Sequence, residues 1–264
     1  MWRPAHDMPH STASQTGSIQ GQTFETIPLE TIEYAKILAN DPKESSRLLN
    51  AAAEPGFFHL DLRDEPSGQF LTNLDAVYKM SASHFEPDLK QKMVELRRDD
   101  QEKGTLTLPP TLGAHSAQLH AFSQSCHEVN KTLLASLSKS LQPKEPQTFL
   151  ENHQDSMPSD TALNLIYSPS LPLKSSAPDT THTDTGTLTS LFCADWGIQI
   201  EDPKSQTWGF VEPKQGCALV NVADSLQKAS EGKLRSCRHR HTQPVDGFRE
   251  RHFVVAYLRP AKSA

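Results

Sequence analysis

Apolar positions along this chain change their spacing about halfway. Between His115 and Leu141 they fall at Leu119, Phe122, Cys126, Val129, Leu133, Leu137 and Leu141, every three or four residues. That period places them on one helix face and predicts a long amphipathic helix. Pro42–Glu54 predicts a shorter one, with Asp41 as N-cap, proline in the first turn and Pro55-Gly56 as the stop. Further helices are expected over about 67–85 and 87–97, with a polar loop over 98–104. Phe24–Leu29 and Phe57–Leu60 read as short strands. After Gln142 the helical period gives way to short β-branched and aromatic runs: Thr161–Tyr167, Thr187–Phe192, Gly197–Glu201, Trp208–Glu212, Ala218–Val222, Leu234–Arg238 and Phe253–Leu258. Pro, Gly, Ser and Asp separate them, as in an antiparallel sandwich or barrel. The expected organisation is a disordered polar tail over 1–22, a mainly helical region over 23–143 and an all-β half over 144–264. The last two form one integrated unit.

Composition narrows the function classes. The net charge of −6 shows no basic excess to attract nucleic acid or an anionic membrane. The four cysteines lack C-x-x-C spacing and suit free thiols in a reducing compartment. No apolar run approaches the roughly 18 residues of a membrane span, and the first residues carry no apolar leader core. These features lead us to expect a cytoplasmic monomer acting on a small molecule.

The candidate chemistry centres on His182-Thr183-Asp184. On a strand, residues two apart share a face, so an imidazole and a carboxylate would sit side by side. One distant histidine would complete the two-histidine, one-carboxylate set that holds Fe(II) on one face and leaves positions open. His239, in Ser236-Cys-Arg-His-Arg240, is the candidate; His241, two residues on, competes for the role. Arg251 opens the final apolar strand, and Arg249 competes with it in the same way. The bland alternative for His182 and Asp184 is a strand-end histidine followed by a turn aspartate.

The ordered set Tyr167, His182, Asp184, His239 and Arg251 comes with three longer motifs. These are Glu54-Pro-Gly-Phe-Phe58, Trp208-Gly-Phe-Val-Glu-Pro-Lys-Gln-Gly216 and Asn221-Val-Ala-Asp224-Ser-Leu. Together they resemble the isopenicillin N synthase-like family of Fe(II)/2-oxoglutarate-dependent dioxygenases, from residue 24 to Pro260. The resemblance implies a double-stranded β-helix, or jelly-roll, core with N-terminal helices. It implies that His182, Asp184 and His239 ligate Fe(II), and that Arg251 and Tyr167 receive the distal carboxylate of 2-oxoglutarate. It also implies molecular oxygen as co-reactant and hydroxylation or desaturation of a small organic metabolite in specialised biosynthesis. Where the family has a serine two residues after the arginine, this chain has Phe253, and the stretch around Gly104–Pro110 is short. Two other readings stay open: an iron oxygenase that does not use 2-oxoglutarate, and a non-catalytic binding protein.

Overall fold

The computed structural model describes residues 15–85, 93–141, 148–170, 180–245 and 247–262. The described residues begin with β1 (Gln15–Ile19), β2 (Gln22–Thr26), β3 (Thr31–Glu33), α1 (Tyr34–Leu38), α2 (Pro42–Ala53) and β4 (Phe57–Asp61). It continues through α3 (Phe70–His84), β5 (Met93–Arg97), α4 (Arg98–Glu102), α5 (Pro110–Gly113), α6 (Ser116–Leu141) and α7 (Thr148–Glu151). The second half holds β6 (Ala162–Ser168), β7 (Leu188–Phe192), β8 (Ile198–Glu201), β9 (Trp208–Phe210) and β10 (Cys217–Val222). It closes with α8 (Asp224–Ala229), β11 (His239–His241) and β12 (Arg251–Leu258).

Two sheets face each other. The larger has the order β3-β4-β10-β7-β12-β6-β5 and the smaller β1-β2-β9-β8-β11. Pairing is antiparallel except between β2 and β9 and between β3 and β4. One core fills the space between the larger sheet and α2, α3 and α6, with Leu48, Val77, Phe122, Leu133, Leu163 and Val254 among its members. A second lies between the sheets, around Phe57, Ile198, Leu219, Phe253 and Val255. The larger sheet is therefore buried on both faces. Strand alternation decides which residue serves which core: on β12, Val254 and Ala256 face the helices, while Phe253 and Val255 face the smaller sheet.

Helix α2 starts as its sequence predicts, with the Asp41 carboxylate accepting from the Glu44 amide at 2.9 Å. Its exit requires Gly56, which has φ +91° and would place a Cβ 2.0 Å from the Arg235 carbonyl oxygen. On α6, Phe122 is fully buried, with ring centroids 5.2 Å from Phe70 and 6.1 Å from Phe192. We expect Phe122→Ala to lower unfolding free energy by about 3–5 kcal/mol in urea titrations, through lost transfer energy and the cavity left between helix and sheet.

Several expectations need correction. The tail predicted over 1–22 is ordered where it is described: Gln15–Ile19 forms β1, paired with β2 from Ile19↔Gln22 to Gln15↔Thr26. The 87–97 helix is not formed at its end, because Met93–Arg97 is a strand paired with β6; its start lies outside the described residues. The polar loop at 98–104 begins as α4, and Leu234–Arg238 is coil that leads into β11.

Candidate metal and cosubstrate site

His182 and His239 are brought together by backbone pairing. Each amide donates to the other residue's carbonyl, at 3.0 and 2.9 Å, in an isolated antiparallel bridge. The ring centroids are 4.3 Å apart. Asp184 lies beyond the bridge on a non-strand segment, so the strand face expected for the pair is realised only at His182. The three side chains converge nonetheless: their ligand atoms all lie within 4.8 Å of one another. Asp184 Oδ1 is 3.5 Å from His182 Nε2 and 3.8 Å from His239 Nε2.

Surrounding groups fix how each ligand is presented. The His182 Nδ1 lies 2.6 Å from the Thr180 carbonyl oxygen, and the His239 Nδ1 lies 3.2 Å from that of Cys237. Carbonyls only accept, so Nδ1 carries the proton in both rings and the Nε2 lone pairs turn inward. Asp184 Oδ2 accepts from Thr189 Oγ1 at 2.6 Å and from Asn221 Nδ2 at 3.0 Å. Those two partners leave Oδ1 as the free donor atom facing the imidazoles. Burial opposes ionisation of Asp184, but the nearby His182 and His239 imidazoles and the donors Thr189 and Asn221 hold its pKa well below the usual carboxylate range. Burial, above all, lowers the His239 pKa, and the Asp184 carboxylate beside it raises that of His182. The loop is braced from behind: the Asp224 amide donates to the Asp184 carbonyl at 2.8 Å, and Thr183 Oγ1 donates to the Asp224 carboxylate at 3.0 Å. Thr189 and Asn221 were not singled out as site residues from sequence. The signal was their place on strands flanking the His-x-Asp segment.

The donor set of two neutral imidazoles and one monodentate carboxylate fits Fe(II) and leaves coordination positions free. The His182 side chain is 42% exposed, against 9% for Asp184 and 7% for His239, so the centre opens on the His182 side. Inward, it is closed by Phe57, Leu191, Ile198, Leu219, Val255 and Tyr257. His241 stays outside the ligand cluster and packs edge-on against Phe253, centroids 5.1 Å apart. Burial pulls its pKa down to about 4.

Arg251 is 4% exposed. Its Nη1 donates to the Thr242 carbonyl at 2.6 Å and to that of Trp196 at 3.4 Å, and its Nη2 donates to Ser168 Oγ at 3.0 Å. Its Nε has no partner, and none of the described carboxylates forms an ion pair with the group. Burial draws the guanidinium pKa down. A buried cation with only neutral partners lacks its counter-charge, which fits a site for an incoming carboxylate. Arg249, the alternative, is 70% exposed and paired with Asp195. Phe253 and Gly197 shape the same corner. A Cβ on Gly197 would lie 2.9 Å from Phe253 Cζ and 3.2 Å from Arg251 Nη1. Gly197→Ala should therefore displace the guanidinium and raise the Kd for 2-oxoglutarate by about tenfold, as read by calorimetry.

Tyr167 does not join this site. It pairs across the strands with His252, packs with Phe85 in the helix-side core and donates its hydroxyl to Glu250 at 2.8 Å. Strand parity is the reason: Arg251 faces Ser168, one residue further along β6. A second titratable cluster, His127, Glu128 and Asp155, lies away from this site. Lys131 Nζ is already 3.0 Å from the Asp155 carboxylate, so this cluster is a tie from α6 to the segment after α7.

The 2OG-Fe(II) oxygenase superfamily model matches residues 159–260, a span that contains the three converging ligands and Arg251. Among relatives, a 2-oxoglutarate-dependent dioxygenase of Amanita muscaria, iboH, is 34% identical over 161 residues, covering 60% of this chain and 78% of the relative. Another, gloE of Glarea lozoyensis, is 29% identical over 280 residues, covering 91% and 82%. The fold is similar to that of a full-length Neurospora crassa protein crystallised with alpha-KG and 5-formyluracil. Its TM-score is 0.74 at 19% identity, covering 89% of this chain and 86% of that one.

Proposed function

Because this chain belongs to the 2OG-Fe(II) oxygenase superfamily, and so is an Fe(II)- and 2-oxoglutarate-dependent dioxygenase, we propose that it oxidises a C–H bond of a small organic metabolite at the His182–Asp184–His239 centre. The observation that carries this is the convergence of two inward Nε2 atoms on Asp184 Oδ1 beside an opening to solvent. Iron and 2-oxoglutarate, when bound, supply the oxidising power: with O2, 2-oxoglutarate becomes succinate and CO2, and one oxygen atom remains for the substrate. The chain's own residues set the stage. Thr189 and Asn221 hold one oxygen of Asp184 so that the other faces the ligands, and the backbone carbonyls of Thr180 and Cys237 fix the imidazole tautomers. Arg251 neutralises the distal carboxylate of the cosubstrate. Phe57, Leu191, Ile198 and Leu219 keep bulk water from the inner side.

A small substrate is supported by the net charge of −6, which gives the chain as a whole no attraction for a polyanion. It is supported also by the Neurospora crassa protein, whose crystals hold 5-formyluracil. Within the described residues no helix is long and apolar enough to cross a membrane. The test is an anaerobic titration of the purified protein with Fe(II) and 2-oxoglutarate, followed by aerobic turnover of a metabolite panel with succinate detection. A weak visible charge-transfer band and substrate-dependent succinate are expected. No band and no succinate with any panel member would overturn the reading.

A further inference from the structure

We propose that Ser168 is a positioning residue for the cosubstrate, supplying the hydroxyl that grips the distal carboxylate together with Arg251. This rests on the 2-oxoglutarate reading above. The guanidinium is used asymmetrically. Its Nη1 is occupied by the Thr242 and Trp196 carbonyls, which fix the plane of the group. What remains is the edge formed by Nε and Nη2, the edge on which a carboxylate seats with two parallel hydrogen bonds. Nε on that edge is buried and unpartnered, and Nη2 touches only Ser168 Oγ.

Ser168 completes the corner. Its oxygen accepts from Arg251, so its own O–H remains to be donated, and among the described residues no acceptor for it is present. The strand register fixes this relation, since Ser168 is the direct cross-strand partner of Arg251. The other positions on the same face near Arg251 are apolar: Phe253 on β12 and Ile166 on β6, which are partners of each other. A serine at 253 is what the family resemblance leads one to expect. Here a phenylalanine fills that space, and the neighbouring strand supplies the hydroxyl instead. An incoming carboxylate oxygen at the Nη2 corner thus receives a second, uncharged donor.

The test measures binding, not turnover. Mn(II)-loaded protein is titrated by calorimetry with 2-oxoglutarate, and separately with pyruvate, which keeps the keto-acid end but lacks the distal carboxylate. Ser168→Ala should raise the Kd for 2-oxoglutarate about tenfold, the loss of one hydrogen bond to a charged group. The pyruvate Kd should stay unchanged. Ser168→Thr, which keeps the hydroxyl, should remain within about threefold of wild type for both. Unchanged 2-oxoglutarate affinity in Ser168→Ala overturns the proposal while leaving the functional reading intact. Equal weakening of both ligands also overturns it, because the effect then lies at the metal. If wild type binds the metal but not 2-oxoglutarate, the functional reading itself fails and this proposal with it.

Discussion

Asp184→Ala should abolish iron retention and turnover while leaving the protein folded. The carboxylate does two things at once: Oδ1 faces the two imidazoles, and Oδ2 takes hydrogen bonds from Thr189 and Asn221 on β7 and β10. Without it the centre keeps two neutral ligands and no anion to offset a divalent charge. Loss of a partner outside the first ring of ligands weakens metal binding about 10- to 100-fold, so loss of a ligand should exceed about 100-fold. Iron content after anaerobic reconstitution and desalting is the direct measurement. Thr189→Val, which removes only one supporting hydrogen bond, should fall inside that smaller range. If Asp184→Ala retained stoichiometric iron with unaltered succinate formation, the assignment of the centre would be wrong.

Arg251→Leu separates cosubstrate binding from stability. The guanidinium is buried with neutral partners only, and an uncompensated buried cation is unfavourable in the ligand-free protein. Replacing it with a shorter, apolar side chain removes that cost, although the Thr242 and Trp196 carbonyls and the Ser168 hydroxyl lose their donor. The thermal midpoint of the ligand-free variant should therefore not fall below wild type. The response to 2-oxoglutarate is the opposite. At 100 times its Kd, a ligand stabilises the wild type by about 2.7 kcal/mol, and Arg251→Leu should lose that increment altogether. Iron binding should persist, because no metal ligand is touched. Thermal scans with and without 2-oxoglutarate, at fixed Mn(II), check both halves together. A variant that still gained stability from 2-oxoglutarate would place the carboxylate pocket elsewhere.

What could be read from sequence followed the strength of each periodic signal. Helix α6 was visible because its apolar positions recur over 26 residues, and α2 because Asp41, Pro42 and Gly56 mark both ends. Strand β5 was misread because Met93–Arg97 is short and charged, with only Val94 and Leu96 buried, Glu95 half-buried between them and both ends exposed. Strand β1 has almost no apolar content to betray it. Its order comes from pairing with β2, whose Phe24 packs against Trp196 and Phe210. The candidate metal ligands were legible as residue types in order, and the fold brings the side chains of His182, Asp184 and His239 within reach of one another. The neighbours of Arg251 were legible only in part. Whether Tyr167 or Ser168 meets Arg251 depends on the parity of one strand register, which chemistry alone does not reveal.

The support beneath Asp184 bears on how the centre is loaded. Its carboxylate is oriented by side chains from two central strands, and its two companion histidines are joined by their own backbone pairing. The contacts that orient the three side chains are thus protein–protein contacts in which an ion takes no part, unlike small metal-dependent domains in which binding and folding are one event. Chelation should empty the centre and leave the sheets standing, and readdition should restore it without a refolding step. On that footing, iron supply would set the active fraction of a standing population of protein, without a chain being made or destroyed.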